Sequence, residues 1–340
     1  MKTKLPEKIT LAHGGGGRLT RELIELLFLK NFSNPALARL EDSAEVPLGR
    51  ERAAFTTDSY VVSPLEFPGA DIGRIAVCGT INDLAVKGAV PLAISAGFII
   101  EEGFSTGRLA KIVRSMKSAA AEAGVPIVTG DTKVVEKGHA DGLFINTSGI
   151  GRIPEGVNLT CEKIKPGDAV IVSGNLGDHG VAVMNARNAL GLSDSVKSDG
   201  APLNLMIAGI LKAAPGSVKL MRDLTRGGLA TALCEISQAC GLSVELEETA
   251  IPVARATDNA CRMLGLDPLY VANEGKVVIF AAAAGVAKIL SNLKKSKYGR
   301  KAAVAGRVIK DAKPQVRLNT AIGGSRMILP LEGEQLPRIC

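Results

Sequence analysis

The sequence predicts a protein of two domains built from alternating strands and helices, followed by a C-terminal tail. A chain of 340 residues exceeds the usual size of one hydrophobic core, and 46% of its residues are apolar. Apolar residues repeat with helical spacing in some segments and form strand-like runs in others. The turn at 152–156 and the polar segment that ends at Pro166-Gly167 mark the boundary between the two domains.

The first half of the chain is predicted to carry a polar patch on one helix. The predicted elements are strands at 52–62, 92–100, 125–128 and 142–150 and helices at 71–87 and 106–123. Thr80, Asn82 and Asp83 lie in the middle of the first helix, which is otherwise apolar. Asn and Asp are poor helix formers, so the patch lowers the local stability of the helix. It is either part of a binding site or a cap for a neighbouring loop.

Acidic residues in this half indicate a magnesium site. Asp58 lies near a strand end, and Asp131 follows the third predicted strand. Asn82 and Asp83 belong to the helical patch. Carboxylate oxygens suit Mg²⁺, which keeps several waters and bridges nucleotide phosphates. Lys133 follows as a charge clamp or a base, and the whole set favours phosphoryl chemistry over hydride or radical chemistry.

Two glycine-rich segments are candidate phosphate contacts. Residues 12–17 precede a helix, and residues 173–180, which include Asn175, lead from a strand into another helix. Glycine backbone approaches phosphates closely, and helix N-termini favour anions. The alternatives are a plain linker for the first segment and an ordinary strand-to-helix turn for the second. Neither is a P-loop, because Gly275-Lys276, the sole Gly-Lys pair, is followed by Val277 where Ser or Thr is required.

The second half is predicted to continue the alternation of strands and helices. The predicted elements are strands at 168–172 and 276–281, a helix that begins within 221–229 and runs to Ala239, a short helix around Cys261, a helix at 286–294 and terminal strands.

The tail is predicted to be a mobile arm that carries a thiol. Pro and Gly are frequent from 323 onward, and they disfavour a helix or a central strand. From Met327 to Cys340 an extended arm spans about 45 Å, at about 3.3 Å per residue. Cys340 would then reach a pocket of its own chain or another protein; the alternative is a frayed end with an incidental cysteine. The predicted limits are 1–155 and 156–326 for the domains and 327–340 for the tail.

Composition and charge argue against several classes of protein. No apolar run approaches the roughly 20 residues of a membrane span, and no signal peptide is recognisable, which predicts a cytoplasmic protein. The six cysteines form no C-x-x-C pair, so neither a zinc site nor a disulfide framework is indicated. The net charge is +7, but only 3% of residues are aromatic, and the dense basic run at 294–301 is typical of a solvated helix end. Nucleic-acid binding is therefore not expected.

Several sequence blocks resemble the aminoimidazole-ribonucleotide synthetase (PurM-like) superfamily. They are Thr56-Thr57-Asp58-Ser59, Cys78-Gly79-Thr80-Ile81-Asn82-Asp83-Leu84-Ala85, Thr129-Gly130-Asp131-Thr132-Lys133-Val134 and Arg222-Asp223-Leu224-Thr225-Arg226-Gly227-Gly228. Within it, residues 177–180, residues 272–276 and the terminal Pro337-Arg338-Ile339-Cys340 resemble the HypE family of nickel–iron hydrogenase maturation proteins. The resemblance extends from His13 to Cys340, and the terminal residues are its most specific part.

This resemblance implies a fold and a reaction. The fold is a PurM-like combination of an α/β N-terminal domain, which pairs in a homodimer that joins two sheets into a β-barrel, with an α+β C-terminal domain and a flexible tail. In the reaction, a HypF-type carbamoyltransferase places a carbamoyl group on Cys340. This protein then uses ATP to dehydrate the thiocarboxamide to a thiocyanate, and the cyano group passes to iron on a HypC–HypD complex.

The resemblance also implies roles for single residues. Asp58, Asp83 and Asp131 would hold the magnesium of Mg–ATP. Phosphorylation makes the amide oxygen a good leaving group, and a base then removes the protons of the nitrogen. The base candidates are Lys133, His139 and Glu274, between which the sequence does not decide. The other expected nucleotide contacts are Gly15, Gly16, Thr80, Asn82, Asn175 and Arg226; the alternative for Arg226 is an ion pair with Asp223, and that for His139 is an ordinary surface position.

Two rival interpretations remain at this point. The first is another ATP-dependent enzyme of the superfamily, of the thiamine-phosphate kinase or selenophosphate synthetase type. A selenophosphate synthetase carries a reactive residue near its N-terminal glycine loop, but here no cysteine precedes Cys78. The second is a scaffold whose tail only docks partner proteins, against which the set of aspartates argues.

Overall fold

The computed structural model describes residues 6–32, 34–188 and 196–331, which fold around two main β-sheets. Its helices are α1 Arg18–Leu23, α2 Leu29–Phe32, α3 Ile72–Val86, α4 Thr106–Ala123, α5 Asp178–Asn188, α6 Asn204–Ala213, α7 Gly228–Cys240, α8 Arg255–Leu264 and α9 Val286–Lys295. Its strands are β1 Ala44–Leu48, β2 Glu51–Tyr60, β3 Glu66–Phe67, β4 Ala70–Asp71, β5 Val90–Glu101, β6 Ile127–Val135, β7 Leu143–Ile153, β8 Ala169–Val172, β9 Val218–Asp223, β10 Ser243–Glu247, β11 Val277–Ala281, β12 Ala303–Ile309, β13 Val316–Asn319 and β14 Ser325–Ile328. Within these three ranges, no helix has the length and apolar character that crossing a membrane requires.

The N-terminal sheet supports a helix that is enclosed on all sides. The strand order is β1-β2-β7-β5-β6, and every pair is antiparallel except β5 with β6. Helix α3 begins at its cap Asp71, whose Oδ1 accepts a hydrogen bond from Arg74 N at 2.8 Å. It packs against the sheet on one side and against α6 and β9 on the other, so every residue of α3 except Arg74 is buried. This explains why α3 is apolar around its whole circumference.

The C-terminal sheet forms the core of the second domain. Its strand order is β14-β13-β10-β12-β8-β11-β9, and β10 with β13 is its one parallel pair among the described residues. All residues of the central strands β8 and β11 are buried, as their continuous apolar sequences require. One face of the sheet packs against α7 and the other against α6 and α9. The predicted architecture of two domains that mix strands and helices is confirmed.

The prediction for the third strand is wrong in its limits. Thr129 to Lys133 do not follow a strand; they lie within β6, which pairs in parallel with β5 from Ile94 with Ile127 to Glu101 with Val135. Gly130 permits this pairing, because a Cβ at that position would lie 2.2 Å from Ala96 O. The β-branched residues around the glycine suit a strand, and this preference was underestimated.

The prediction of a tail that begins at Met327 is also wrong in its first part. Met327 and Ile328 belong to β14, which pairs with β13. The Tyr270 hydroxyl then donates to Leu329 O at 2.8 Å and accepts from Leu329 N at 3.3 Å. Leu331 O accepts a hydrogen bond from Arg18 N at 2.9 Å. The rest of the predicted tail, including Cys340, lies outside the described residues.

Replacing Gly149 by Ala is expected to destabilise the N-terminal domain. Gly149 lies on β7 under α3, and a Cβ there would meet Thr80 Cγ2 at 2.8 Å and Leu84 Cδ1 at 2.9 Å. Overpacking of this kind lowers the free energy of unfolding by about 1–3 kcal/mol. Urea unfolding monitored by circular dichroism measures the change.

The matched control is Gly107→Ala, which adds the same atom where only Ser105 Oγ, at 3.6 Å, lies nearby. Gly107 is in the first turn of α4, so the control is expected to be neutral or stabilising by up to about 1 kcal/mol. Equal destabilisation by both substitutions would contradict the close contact between α3 and β7.

Candidate active site

Carboxyl groups from both domains meet where α3, β2 and β9 approach one another. We call Asp42, Asp58, Asp83, Asp223 and Glu274 the acidic cluster. Charges within this set raise the pKa values of four of its members, Asp42, Asp83, Asp223 and Glu274. Asp42 precedes β1, Asp58 lies on β2, Asp83 lies on α3, Asp223 ends β9 and Glu274 precedes β11. Asp83 and Glu274 are buried, and the other three are half-buried.

Burial and mutual repulsion raise pKa values within the acidic cluster. Burial raises the pKa of Asp83 well above its usual range, and the charges of Asp223 and Asp58 raise it further. The pKa of Asp223 is raised by burial and then by Asp42 and Asp58. Burial also raises the pKa of Glu274 well above its usual range, with a further contribution from Asp223. A bound cation would relieve this repulsion.

Hydroxyl groups orient two members of the acidic cluster. Thr56 Oγ1 donates to Asp83 Oδ2 at 2.8 Å, and the Tyr60 hydroxyl donates to Asp58 Oδ2 at 3.0 Å. Gly79 leaves room for that hydroxyl, because a Cβ there would lie 2.1 Å from it. Both carboxylates keep their remaining lone pairs for other partners.

The other members of the acidic cluster differ in how they are held. Arg222 Nε lies 3.0 Å from Asp42 Oδ1, and Arg222 Nη1 lies 3.0 Å from Glu235 Oε2. Burial raises the pKa of Asp42 to about 6, although the charge of Arg222 opposes the shift. By contrast, Oε2 of Glu274 is buried and has no hydrogen-bond partner in the described part of the chain. The Glu274 carboxylate therefore keeps one oxygen that no other described residue engages.

The N-terminal glycine segment, residues 12–17, packs beside the acidic cluster. Arg226 Nη1 donates to Gly14 O at 3.1 Å, which is the contact made by Arg226 in place of the ion pair considered with Asp223. Gly16 has a φ of +79°, and a Cβ there would lie 2.9 Å from Arg226 Cβ. The positive charge of Arg226 lowers the pKa of Asp223 and so opposes the effect of burial. The structure thus brings Gly15, Gly16 and Arg226 to one edge of the cluster.

Thr80 and Asn82 are engaged within the protein. Thr80 Oγ1 and Thr147 Oγ1 are 2.6 Å apart, which ties α3 to β7. Asn82 Nδ2 donates to Ala201 O at 3.0 Å, and its Oδ1 accepts from Leu203 N at 2.8 Å. Both side chains are buried and join structural elements, and their predicted contacts with a nucleotide stay predictions. The sequence left open that this patch caps a neighbouring loop. Among the described residues, Asn82 makes such a contact, and Asp83 does not.

Asp131 and the two neighbouring base candidates lie away from the acidic cluster in the single chain. Asp131 Oδ2 lies 2.9 Å from Lys133 Nζ, and 69% of each side chain is exposed. Lys133 lowers the pKa of Asp131. His139 is also exposed, with Glu136 as its neighbour. Since β7 and β5 lie between β2 and β6, Asp131 is about 14 Å from the strand that carries Asp58, at about 4.8 Å per strand. One chain does not assemble the predicted set of three aspartates.

Asn175 lies in a cleft that includes neither the acidic cluster nor Asp131. The segment at 173–180 leads from β8 into α5, as predicted, and Asn175 lines a polar cleft together with Lys276. His179, in the same segment, is fully buried, and its Nδ1 lies 2.9 Å from Ser198 Oγ. Burial lowers the pKa of His179 to about 4, so it is a neutral core residue.

The donor set of the acidic cluster fits a hard cation, although the described residues contain no ready-made group of three metal-ligating side chains. Carboxylate oxygens are the ligands that Mg²⁺ prefers, and it usually completes its shell with waters and substrate phosphates. The repulsion within the cluster shows that added positive charge would be stabilised there.

Comparison with known proteins identifies the family. The models of AIR synthase related proteins match residues 40–153 with the N-terminal domain and residues 165–319 with the C-terminal domain. The protein named carbamoyl dehydratase HypE from Rhodobacter capsulatus is 51% identical over 337 residues, which cover 98% of each chain. The chain belongs to the HypE family.

Solved structures of HypE proteins have the same fold. The HypE chain of a HypE–HypF complex is 46% identical, with a TM-score of 0.86 that covers 91% of this chain and 99% of that one. A hydrogenase maturation protein HypE in complex with ATP is 44% identical, with a TM-score of 0.82 that covers 97% of this chain and 100% of that one. The PurM-like two-domain fold predicted from the sequence is therefore confirmed.

Sequence analysis missed Asp42 and Asp223 as site residues. Asp223 belongs to a block that was quoted, but it was weighed only as a partner of Arg226. Its position directly after Arg222 and shortly before a Gly-Gly turn was a usable signal. Asp42 gave no comparable signal, because its place depends on the contact with Arg222 across the domains.

Replacing Asp83 by Asn is expected to stabilise the metal-free protein, and the gain should increase with pH. The pKa of Asp83 is higher in the folded than in the unfolded state, so the folded state binds the extra proton. Wild-type stability is therefore lost as the pH rises from the unfolded pKa, near 3.8, toward the folded one, whereas Asn has no such loss. Urea unfolding in EDTA between about pH 5 and about pH 8 measures the difference.

The control is Asp141→Asn, which removes the same charge from an exposed turn. The free energy of unfolding of this variant is expected to differ from that of the wild type by a nearly constant amount over this pH range. If the gain in the free energy of unfolding of Asp83→Asn were constant or decreased with pH, the folded protein would not raise the pKa of Asp83.

Proposed function

We propose that this protein is an ATP-dependent carbamoyl dehydratase that converts an S-carboxamide on Cys340 to an S-cyanate. The observation that carries the proposal is the hydrogen bond that fixes Leu331, nine positions before Cys340, next to the glycine segment. Leu331 is bonded to Arg18, directly after the glycine segment, and Arg226 bonds Gly14 of that segment beside the acidic cluster. The relative named carbamoyl dehydratase, at 51% identity over nearly the whole chain, supports the same reaction.

The length of the tail suits a reaction within one chain. Cys340 is nine positions after Leu331. Nine residues span at most about 30 Å when extended. We propose that a thiol on this tether can approach the edge of the acidic cluster formed by Arg226, where a loaded tail would place its carboxamide against a nucleotide.

The proposed reaction balances without oxidation or reduction. The carboxamide oxygen attacks the terminal phosphorus of ATP, ADP leaves, and one proton leaves the nitrogen. Loss of phosphate and of the second nitrogen proton then forms the S–C≡N group. The carboxamide oxygen ends in inorganic phosphate, and the sulfur of Cys340 keeps its bond to carbon throughout.

The residues of the acidic cluster take distinct roles in this reaction. Asp42, Asp58, Asp83 and Asp223 would hold the cation, and Mg²⁺ when bound would neutralise the charge on the ATP phosphates. Glu274 accepts a nitrogen proton, since burial raises its pKa well above its usual range and one of its oxygens has no partner among the described residues. Arg226 and the N–H groups of the glycine segment contact phosphate oxygens.

A homodimer would bring Asp131 and Lys133 to the reaction. Strand β6 is an exposed sheet edge, and its Val128 and Val134 are 62% and 67% exposed. Beside it, a mostly apolar cavity of about 880 Å³ lies between α4 and β6. An exposed, hydrophobic sheet edge favours pairing with another chain. We propose that two copies pair through this face, closing a β-barrel, and that Asp131, Lys133 and His139 of one copy serve the acidic cluster of the other.

Partner proteins supply and remove the groups that Cys340 carries. The solved complex of a HypE with a HypF supports a HypF-type carbamoyltransferase as the donor. We propose a HypC–HypD complex as the acceptor of the cyano group, which becomes a ligand of the hydrogenase iron, and a cytoplasmic site for these steps. A thiamine-phosphate kinase or selenophosphate synthetase activity is less well supported, because neither gives a role to the cysteine tail.

Intact-protein mass spectrometry tests the proposed function. With the carbamoyltransferase and carbamoyl phosphate, the protein is expected to gain about 43 Da; on ATP use the gain should fall to about 25 Da, as carbamoyl becomes cyano on the Cys340 sulfur. Cys340→Ala should show neither gain. The matched control is Cys161→Ala, because burial raises the pKa of the Cys161 thiol to about 11 and so suppresses its thiolate. Equal labelling of Cys340→Ala and the wild type would refute the proposal.

Mixed dimers test whether the site is shared between two copies. Asp83→Asn and Asp131→Asn are each expected to abolish dehydration. In a dimer that contains one copy of each variant, one of the two shared sites keeps both aspartates. Random mixing should therefore restore about one quarter of wild-type activity. If both aspartates acted within one chain, the mixture would stay inactive, and full activity of Asp131→Asn alone would remove Asp131 from the site.

A further inference from the structure

A polar cleft lies where the two domains meet; none of its lining residues belongs to the acidic cluster, although its Asp199 accepts a hydrogen bond from Glu274 N at 2.9 Å. Its volume is about 410 Å³, within the range of small-molecule sites. The N-terminal domain contributes Gly69 and Arg74 to its wall, and the C-terminal domain contributes the rest. The remaining lining residues are Gly174, Asn175, Asp178, Ser198, Asp199, Gly200, Lys276, Lys297, Tyr298, Arg300 and Lys301.

Positive charge exceeds negative charge in this cleft. Lys276 Nζ is paired with Asp199 Oδ2 at 2.7 Å, and both side chains are buried. Arg74 and Lys297 are both paired with Glu122, at 2.9 Å and 2.6 Å. The remaining cations, Arg300 and Lys301, have no carboxylate partner among the described residues and lie at the open side of the cleft. They belong to the basic run at 294–301, to which neither the fold nor the proposed reaction gives a role.

The floor of the cleft offers hydrogen-bond donors. The Asn175 amide has no protein partner in the described part of the chain and lines the cleft at the start of α5. Gly174 keeps the floor open, because a Cβ there would lie 3.0 Å from Lys276 Cε. The Lys276 ammonium bonds Asp199 Oδ2 and Gly275 O, which leaves its third proton for a ligand.

We infer that this cleft binds a phosphate-bearing small molecule. Arg300 and Lys301 supply the charge that a phosphate requires, and the Asn175 amide and the Lys276 ammonium supply donors at the floor. Asp178, in the wall, already accepts from Thr257 with one oxygen, so the other is free to accept from a hydroxyl of the same ligand. Two wall carboxylates and the limited volume disfavour a nucleic-acid strand or a long acidic peptide. The inference does not depend on the proposed function.

Titration calorimetry with glycerol 3-phosphate, in EDTA, tests this site. EDTA removes any metal that would draw the probe to the acidic cluster, and the Asp83→Asn variant tests whether that cluster contributes to binding. We expect one saturable site per chain. Arg300→Glu with Lys301→Glu should weaken binding by about tenfold or more, because both free cations are reversed. Asp83→Asn should bind the probe as the wild type does.

The matched control is Lys294→Glu with Lys295→Glu. It makes the same change of net charge on exposed residues at the end of α9 that do not line the cleft. This control should weaken binding by less than about twofold. Equal weakening by the two pairs would mean that only net charge attracts the probe, and an absence of saturable binding to the wild type would also overturn the inference. Thermal melts of both pairs verify that they fold.

Discussion

Repulsion among carboxylates that are partly removed from water is the constraint on which the site depends. Such groups move apart unless rigid elements hold them together, and when they are held their pKa values rise. Here the elements come from both domains: β2 and α3 from one, β9 and the segment before β11 from the other. The acidic cluster therefore exists only while the domains are docked, which makes the domain contact part of the candidate site.

Helix α3 transmits this constraint. Asp83 lies in the same turn as Asn82, whose amide bonds the backbone of the second domain at two points. One turn earlier, Thr80 bonds Thr147 of the sheet. A helix fixed on both sides cannot shift to move its carboxylate away from its neighbours. The polar patch lowers the helix propensity of α3, but its Asn82 stabilises the contact between the domains. Within the patch, Asp83 is the residue whose charge is disfavoured by its surroundings.

The sequence predicted most elements and the family, because apolar periodicity and short motifs are local properties. It identified Asp58, Asp83, Glu274 and Arg226, which the structure brings together. It did not indicate that Asn82 joins the two domains, because that contact depends on the backbone of a distant segment. It also placed Asp131 after a strand, whereas pairing with β5 extends that strand through it. Asp42 was missed, because only a contact between the domains brings it to the site.

The anchoring of the chain at Tyr270 and Arg18 has a kinetic consequence. A substrate on a short tether experiences a local concentration of the order of millimolar, whatever the amount of protein in the cell. On the proposed function, dilution would then not slow the dehydration step as long as the proposed dimer stays paired, and each chain would hold one substrate at a time. The rate of cyanide supply would be governed by how often other proteins load and empty the tether. The amount of cyano group delivered per unit time would then depend on the abundance of the partner proteins.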